Sequence, residues 1–85
     1  MKEQKIGTVD HYYSHLGVIT MTLEGDLKAG DTIHIKGHTS DFTEKIDSIQ
    51  VNHKPVMSAR NGEGVGLKVS EHGRTGDVVY RVIEE

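Results

Sequence analysis

The sequence predicts an all-β fold, and three observations support this. Apolar residues recur with a period of two, the turns between apolar segments are rich in glycine and acid, and no stretch fits an amphipathic helix better than a strand. The chain of 85 residues is predicted to be one domain spanning residues 1–85. Because a small domain has a limited core and closure removes exposed sheet edges, we expect a small barrel rather than a sandwich.

The alternation of apolar and polar residues gives the positions of the strands. In TIHIKG, Ile33 and Ile35 share one face, and His34 lies on the other. Leu67 and Val69 alternate in the same way in GLKVS. Six main strands are predicted, near residues 4–13, 17–24, 31–37, 42–53, 64–70 and 76–84.

The fourth predicted strand has two special features. Its alternation is broken between Ile46 and Ile49, and an extra residue near Asp47 and Ser48 predicts a β-bulge that lets the sheet curl. The only proline, Pro55, falls where this strand should end, a position that tolerates a missing backbone N–H. The turns elsewhere carry a glycine beside an acid or asparagine, as expected for tight turns.

Composition excludes several classes of protein. A net charge of −3 argues against a free-standing nucleic-acid binder, although a local basic patch remains compatible with it. The absence of cysteine excludes a disulfide framework and a thiolate metal site. No segment approaches the roughly 20 apolar residues that span a bilayer. We therefore expect a soluble, cytoplasmic protein without a membrane partner.

The sequence gives no support for a metal, a nucleotide, a cofactor or catalysis. His11 and His15 are four residues apart, as are His34 and His38, but on a strand this spacing separates the side chains by about 13 Å. The glycines of GEGVG, residues 62–66, precede a strand rather than a helix, so they do not form a phosphate-binding loop. No serine lies in a G-x-S-x-G motif. We predict no enzyme activity.

Two segments are candidates for a binding face. In VDHYYSHLG, Tyr12 and Tyr13 must point to opposite sides of a strand, with His11 and His15 beside them. An exposed aromatic with cationic neighbours suits base stacking or a protein contact. The alternative is a tyrosine that caps the end of the barrel.

The second segment is QVNHKPV, residues 50–56. His53 and Lys54, with Arg60 nearby, form the densest basic cluster, which could contact phosphate or could be a solvated rim. Together with Gln50 these residues complete the predicted binding face. Its members are His11, Tyr12, Tyr13, His15, Gln50, His53, Lys54 and Arg60.

Three blocks in order, LEGDLKAGDTIHIKG, a bulged strand ending in RNGEGVGLKV, and GRTGDVVYRV, resemble domain 2 of translational GTPases such as elongation factor Tu. More narrowly, the chain resembles small translation elongation factor-like proteins, and a similar barrel ends some collagenase-like peptidases. The resemblance implies a closed, six-stranded Greek-key β-barrel that contacts tRNA or ribosomal RNA. It places Gln50, Asn52 and His53 where the factors hold the end of tRNA. The residues that match are Gly25, Leu27, Lys28, Gly30, Asp31, Ile33, Ile35, Gly37, Ala59, Gly62, Val65, Gly66, Leu67, Gly76, Asp77 and Val78.

Three hypotheses of function follow. The first is a non-catalytic binding module that contacts tRNA or ribosomal RNA. The alternative is a protein-interaction module that is accessory to a larger enzyme, such as a collagenase-like peptidase. The third, ranked last, is a metal-binding domain that uses histidine side chains.

Overall fold

The computed structural model describes residues 2–38, 40–71 and 73–83, and these residues form ten β-strands. In this part of the chain no helix is long and apolar enough to cross a membrane. The end of the last predicted strand, Glu84, lies outside the described residues. The strands are β1 (Lys2–Tyr13), β2 (Val18–Thr22), β3 (Leu27–Lys28), β4 (Thr32–Lys36), β5 (Asp41–Lys45), β6 (Ile49–Val51), β7 (Lys54–Val56), β8 (Ser58–Ala59), β9 (Gly64–Lys68) and β10 (Val78–Ile83).

Eight strands form one antiparallel sheet in the order β5-β4-β10-β1-β2-β9-β6-β7, and β3 pairs with β8 in a small second sheet. The predicted all-β class is confirmed. The predicted closed, six-stranded barrel is wrong, because β5 and β7, the two ends of the large sheet, are not paired with each other in the described ranges. Pro55 lies in β7 at this sheet end, where no neighbouring strand needs its missing N–H.

The predicted fourth strand is in fact two strands on opposite parts of the sheet. Strand β5 pairs with β4, whereas β6 pairs with β9 and β7. Between them the backbone N–H of Ile46 donates to the carbonyl of Asp31, and the Ile46 carbonyl accepts from the N–H of Gly30. These contacts tie the segment to the turn before β4, so the irregular spacing of isoleucines marks a crossover and not a bulge.

Strand β1 joins the two parts of the large sheet. Its first half pairs with β10 and its second half pairs with β2. The register shifts twice, between Lys5 and Gly7 and between Val9 and His11. Bulges of this kind bend a strand and increase its twist, so β1 curves around the core and contributes residues to both parts of the sheet.

The buried side chains occupy the positions that the alternation predicts. Ile33, Ile35 and Leu67 are completely buried, and their neighbours His34 and Lys68 point to the other face. Because every second residue of most strands is apolar, one face of the curved sheet can exclude water, which is the main stabilising effect in a domain of this size. The fully buried side chains of the core are Ile6, Val9, Ile19, Met21, Leu23, Leu27, Ile33, Ile35, Ile46, Ile49, Leu67 and Val79.

Three turns share one construction, and each ends in a glycine followed by an acid. They span Lys28–Asp31, Arg60–Glu63 and Arg74–Asp77. The third residue is a glycine with φ of 96°, 94° and 94° respectively, a conformation that side chains disfavour. In each turn the fourth residue donates its N–H to the carbonyl of the first, and its acidic side chain accepts the N–H of the first at 3.0, 3.2 and 3.0 Å. The glycine-acid pairs are therefore explained by turn geometry.

A groove on strand β9 as the candidate binding site

The outward face of strand β9 carries no side chains along most of its length. Gly66 lies opposite Thr20 of β2 on one side and Gln50 of β6 on the other, and Gly64 lies opposite Thr22. Because directly opposed residues point to the same face of a sheet, both glycines face outward with these polar neighbours. The result is a strip of bare backbone between two rows of side chains.

This strip is the floor of a groove with a cavity volume of about 490 Å³. One wall comes from the end of β1, the turn that follows and β2, and its exposed members include Asp10, Tyr13 and Leu16. The other wall comes from β6 and the turn after it. A volume of this size lies within the range of about 300–1,000 Å³ that is typical of small-ligand sites.

Tyr13 is the aromatic side chain of the first wall. It is 46% exposed, whereas the ring of Tyr12 points the other way and packs against the core. The ring of His11 stands edge-on to the ring of Tyr13, with 4.4 Å between the two centroids. The N–H of Gly17 bonds to the Tyr13 carbonyl at 2.8 Å and closes the turn. The turn and His11 together restrict the positions that the Tyr13 ring can take.

The second wall is the two-residue turn between β6 and β7. Asn52 and His53 have φ of 53° and 64°, and Val51 pairs with Lys54 on either side of them. Two successive residues with positive φ are typical of the turns that join tightly paired antiparallel strands. Asparagine adopts this conformation readily, whereas histidine does so less often. Both side chains line the groove, where Gln50 joins them.

The structure brings together only part of the predicted binding face. Tyr13, Gln50 and His53 line the groove, and His11 touches it through Tyr13. The remaining members do not line it: Tyr12 packs inward, His15 is exposed in the turn after β1, and Lys54 and Arg60 are exposed elsewhere on the surface.

The floor of this site was not predicted from the sequence. The predicted strand at residues 64–70 included Gly64 and Gly66, which lie in β9, and Gly62 lies in the turn before it, but the bare face that the two strand glycines create was not recognised. Asp10 was also missed, since nothing in the sequence marks it as the residue at the second register shift of β1. Two glycines spaced by two in a strand were the available signal, because that spacing leaves one face bare.

A second polar cluster lies on the outer face near the other end of the sheet. His34 Nδ1 lies 2.7 Å from Glu3 Oε2, and His34 Nε2 lies 2.5 Å from Asp41 Oδ1. The hydrogen bond with Asp41 raises the pKa of His34, Glu3 raises it further, and partial burial opposes both. The same bond lowers the pKa of Asp41. His34 thus links β1, β4 and β5 through its two ring nitrogens and is not simply an exposed histidine.

Neither the histidine pairs nor this cluster forms a metal site in the part of the chain that the structure describes. No group of three or more His, Asp and Glu residues there could hold a metal ion. His34 lies in β4, whereas His38 lies in a bend after that strand.

Comparison with known proteins gives a consistent result. No family model matches the chain. It is 43% identical over 81 residues to an uncharacterized protease of Methanocaldococcus jannaschii. The matched segment covers 94% of this chain and 20% of that protein. It is 33% identical over 78 residues to a collagenase of Porphyromonas gingivalis, covering 89% of this chain and 22% of that protein. The chain thus spans about a fifth of the length of the curated relatives it matches.

Two solved structures of a Geobacillus thermoleovorans domain have the same fold. Both are described as the C-terminal domain of a U32 peptidase. One superposes with a TM-score of 0.84 at 22% identity and covers 89% of this chain and 96% of that one. The other superposes with a TM-score of 0.86 at 20% identity, and the superposition covers 94% of this chain and 93% of that one. At these identities of 20–22% the two structures show the fold of this chain.

The identification as a translation elongation factor-like protein is therefore wrong. The proteins that match are a protease, a collagenase and U32 peptidase domains, and not elongation factor domains. Many of the residues that carried the resemblance, such as Gly30, Asp31, Gly76 and Asp77, belong to the repeated turns. Such residues are selected by turn geometry, so they report a backbone shape and not a shared function.

Proposed function

We propose that this chain is a non-catalytic binding domain that serves a larger collagenase-like peptidase. The similarity to the Methanocaldococcus jannaschii protease supports this, because it covers 94% of this chain but only 20% of that protein. A segment of this size is suited to holding a polypeptide while the remainder of the protease carries the chemistry. The groove on β9 is the feature of the molecule that would perform the binding.

The chemistry of the chain favours binding over catalysis. It has no cysteine to serve as a nucleophile. Both ring nitrogens of His34 are occupied by carboxylates, which leaves neither of them free to accept a proton from a nucleophile. The groove itself contains an aromatic ring, amides and hydroxyl groups around a bare backbone floor, which is a typical composition of a recognition site.

The single observation that carries the proposal is the groove with its glycine floor. Side chains are absent from the middle of the outer face, where a folded sheet without a binding partner would gain stability from larger residues. A binding role explains this arrangement. The site is large enough for part of a polypeptide chain and is bounded by side chains on both sides.

A domain-exchange experiment tests the proposal. In the Methanocaldococcus jannaschii protease, the matched segment would be deleted in one form and replaced by this chain in another. We expect the deletion to reduce cleavage of long polypeptides strongly while cleavage of short fluorogenic peptides is retained, and the replacement to restore the loss. This chain alone should cleave neither.

The matched control is the same replacement with Gly64→Val, which fills the groove and leaves the core unchanged. Equal loss of both activities on deletion, in a protein that remains folded, would place the domain in the catalytic centre and contradict the proposal. Cleavage by the isolated chain would contradict it as well.

A further inference from the structure

We infer that the groove on β9 binds an arginine side chain that a polypeptide presents in an extended conformation. This inference rests on the proposed function and names the class of ligand that the same site would take. Four properties of the groove support it: the shape of its floor, its charge, its hydrogen-bond acceptors and its aromatic wall.

The floor accepts a flat group. Gly64 and Gly66 expose backbone only, and a Cβ built on Gly64 would meet no atom within 4 Å. A Cβ on Gly66 would meet Val18 Cγ1 at 3.4 Å and Gln50 Cβ at 3.8 Å, so the groove is narrow at that point. The guanidinium of arginine is planar and can lie against such a strip, whereas the lysine ammonium is a compact point charge.

The charge of the groove favours a cation. Among the described residues that line it, Asp10 is the only one with a carboxylate, and none is a lysine or an arginine. Asp10 lies at the register shift between Val9 and His11, where the regular pairing of β1 with β2 is interrupted. Bulges of this kind re-aim a side chain, and here Asp10 is among the residues that line the groove. A carboxylate at this position attracts a cation and repels a phosphate.

The hydrogen-bonding groups match those of a guanidinium. Its five N–H donors need several acceptors, and it has no acceptor of its own. The groove provides the carboxylate of Asp10 on one wall and the amide oxygens of Gln50 and Asn52 on the other, with the hydroxyl of Thr20 between them. Pairs of a guanidinium with a carboxylate are among the stronger and more directional contacts in proteins.

The remaining wall suits the rest of the side chain. The ring of Tyr13 lines the groove and is partly exposed, and arginine is the cation that most often stacks on aromatic rings. Leu16 and Val18 provide apolar surface against which the methylene groups of arginine can pack. A phenylalanine side chain would use the same apolar surface, but it would leave Asp10 and the two amides without partners.

Titration of the isotope-labelled chain with blocked amino-acid amides, followed by two-dimensional NMR, tests this inference. The probes are N-acetyl arginine amide and its citrulline, lysine and phenylalanine counterparts. Citrulline keeps the shape of arginine and lacks its charge. We expect saturable shifts of the Gly64 and Gly66 amides and of the Tyr13 ring with arginine, and binding to citrulline weaker by about tenfold or more.

Three variants sharpen the result. Asp10→Asn should reduce arginine binding by about tenfold, and Gly64→Val should abolish it by filling the floor. Asp47→Asn removes an exposed carboxylate that does not line the groove and should leave the affinity unchanged. The NMR spectrum of each variant reports directly whether it is folded.

The inference is overturned if phenylalanine or citrulline binds as well as arginine, if Asp10→Asn has no effect, or if no probe shifts the groove amides up to its solubility limit. Preferential binding of a single-stranded RNA oligonucleotide to these amides would also overturn it. Should these outcomes occur while the exchanged domain still supports cleavage of long polypeptides, the identity of the ligand is wrong and the accessory function stands.

Discussion

Replacing Gly37 with alanine would place a methyl group in space that the Asp77 side chain already fills. An ideal Cβ on Gly37 overlaps Asp77 Oδ1 and lies 2.5 Å from Asp77 Cγ. Asp77 is only 4% exposed, and its Oδ2 accepts the backbone N–H of Arg74 at 3.0 Å. The carboxylate must therefore move, and one of the two hydrogen bonds of the third repeated turn is lost with it.

The cost of this change can be worked from its two parts. Overpacking in a tightly filled site costs about 1–3 kcal/mol, and losing a hydrogen bond to a charged group costs about 1–3 kcal/mol. We therefore expect Gly37→Ala to lower the free energy of unfolding by about 2–6 kcal/mol. For a domain of this length the entropy of unfolding is about 0.18 kcal/mol/K, so the melting temperature should fall by about 10–33 °C.

Thermal and urea unfolding of the purified variant measure this effect. The matched control is Gly64→Ala, a glycine-to-alanine change at a strand position where the added methyl meets no atom. In a double-mutant cycle, Asp77→Ala should remove most of the penalty of Gly37→Ala, because the overlapping carboxylate is gone. The steric explanation is refuted if the Gly37→Ala and Gly64→Ala variants have the same melting temperature. It is also refuted if the effects of Gly37→Ala and Asp77→Ala on the free energy of unfolding are additive.

Three further changes test other parts of the structure. His34→Gln should destabilise the protein more at pH 5.5 than at pH 8.5, because the raised pKa of His34 contributes stability below its ordinary value of 6.5 and this contribution is lost as the pH rises through the raised value. The lowered pKa of Asp41 contributes stability above its ordinary value of 3.8, so that contribution is present at both pH 5.5 and pH 8.5. Urea unfolding midpoints of the variant and the parent at these two pH values measure the difference. Ile19→Ala should cost about 2–5 kcal/mol, because Ile19 is completely buried, while Leu16→Ala at 64% exposure should stay within about 0.5 kcal/mol in the same assay. Gly30→Ala should cost about 1–2 kcal/mol, because φ of 96° disfavours a side chain although the space around it is open; an unchanged melting temperature would show that the turn can change its conformation.

Local patterns predicted the parts of the fold that depend on neighbouring residues. The alternation of Ile33 and Ile35 with polar residues gave both the strand and its buried face, because side chains of a strand point to opposite sides whatever the strand pairs with. In the same way, Tyr12 and Tyr13 were correctly expected to point in opposite directions. The acid after each turn glycine was recognised as a turn signal for the same local reason.

Features that depend on distant pairing could not be predicted. The spacing of Ile46 and Ile49 is compatible with a bulge, and only the hydrogen bonds of Ile46 to the turn before β4 make it a crossover. The groove requires β9 to lie between β2 and β6, since Gly64 and Gly66 become a floor only when these strands stand beside them. No local pattern contains that strand order. The sequence therefore named Tyr13, Gln50 and His53 as candidates but could not predict that they line one groove.

The glycine floor also has an energetic consequence for the domain. Glycine within a strand is less stable than alanine by about 0.5–1 kcal/mol, because it loses more backbone freedom on folding. With two such residues side by side, the domain gives up about 1–2 kcal/mol, a noticeable fraction of the stability of a protein this small. Stability and the proposed binding role are therefore opposed at this strand. Selection for thermal stability alone should replace Gly64 first, where a larger side chain has open space, and the variants that melt at the highest temperatures should be those in which the groove is filled.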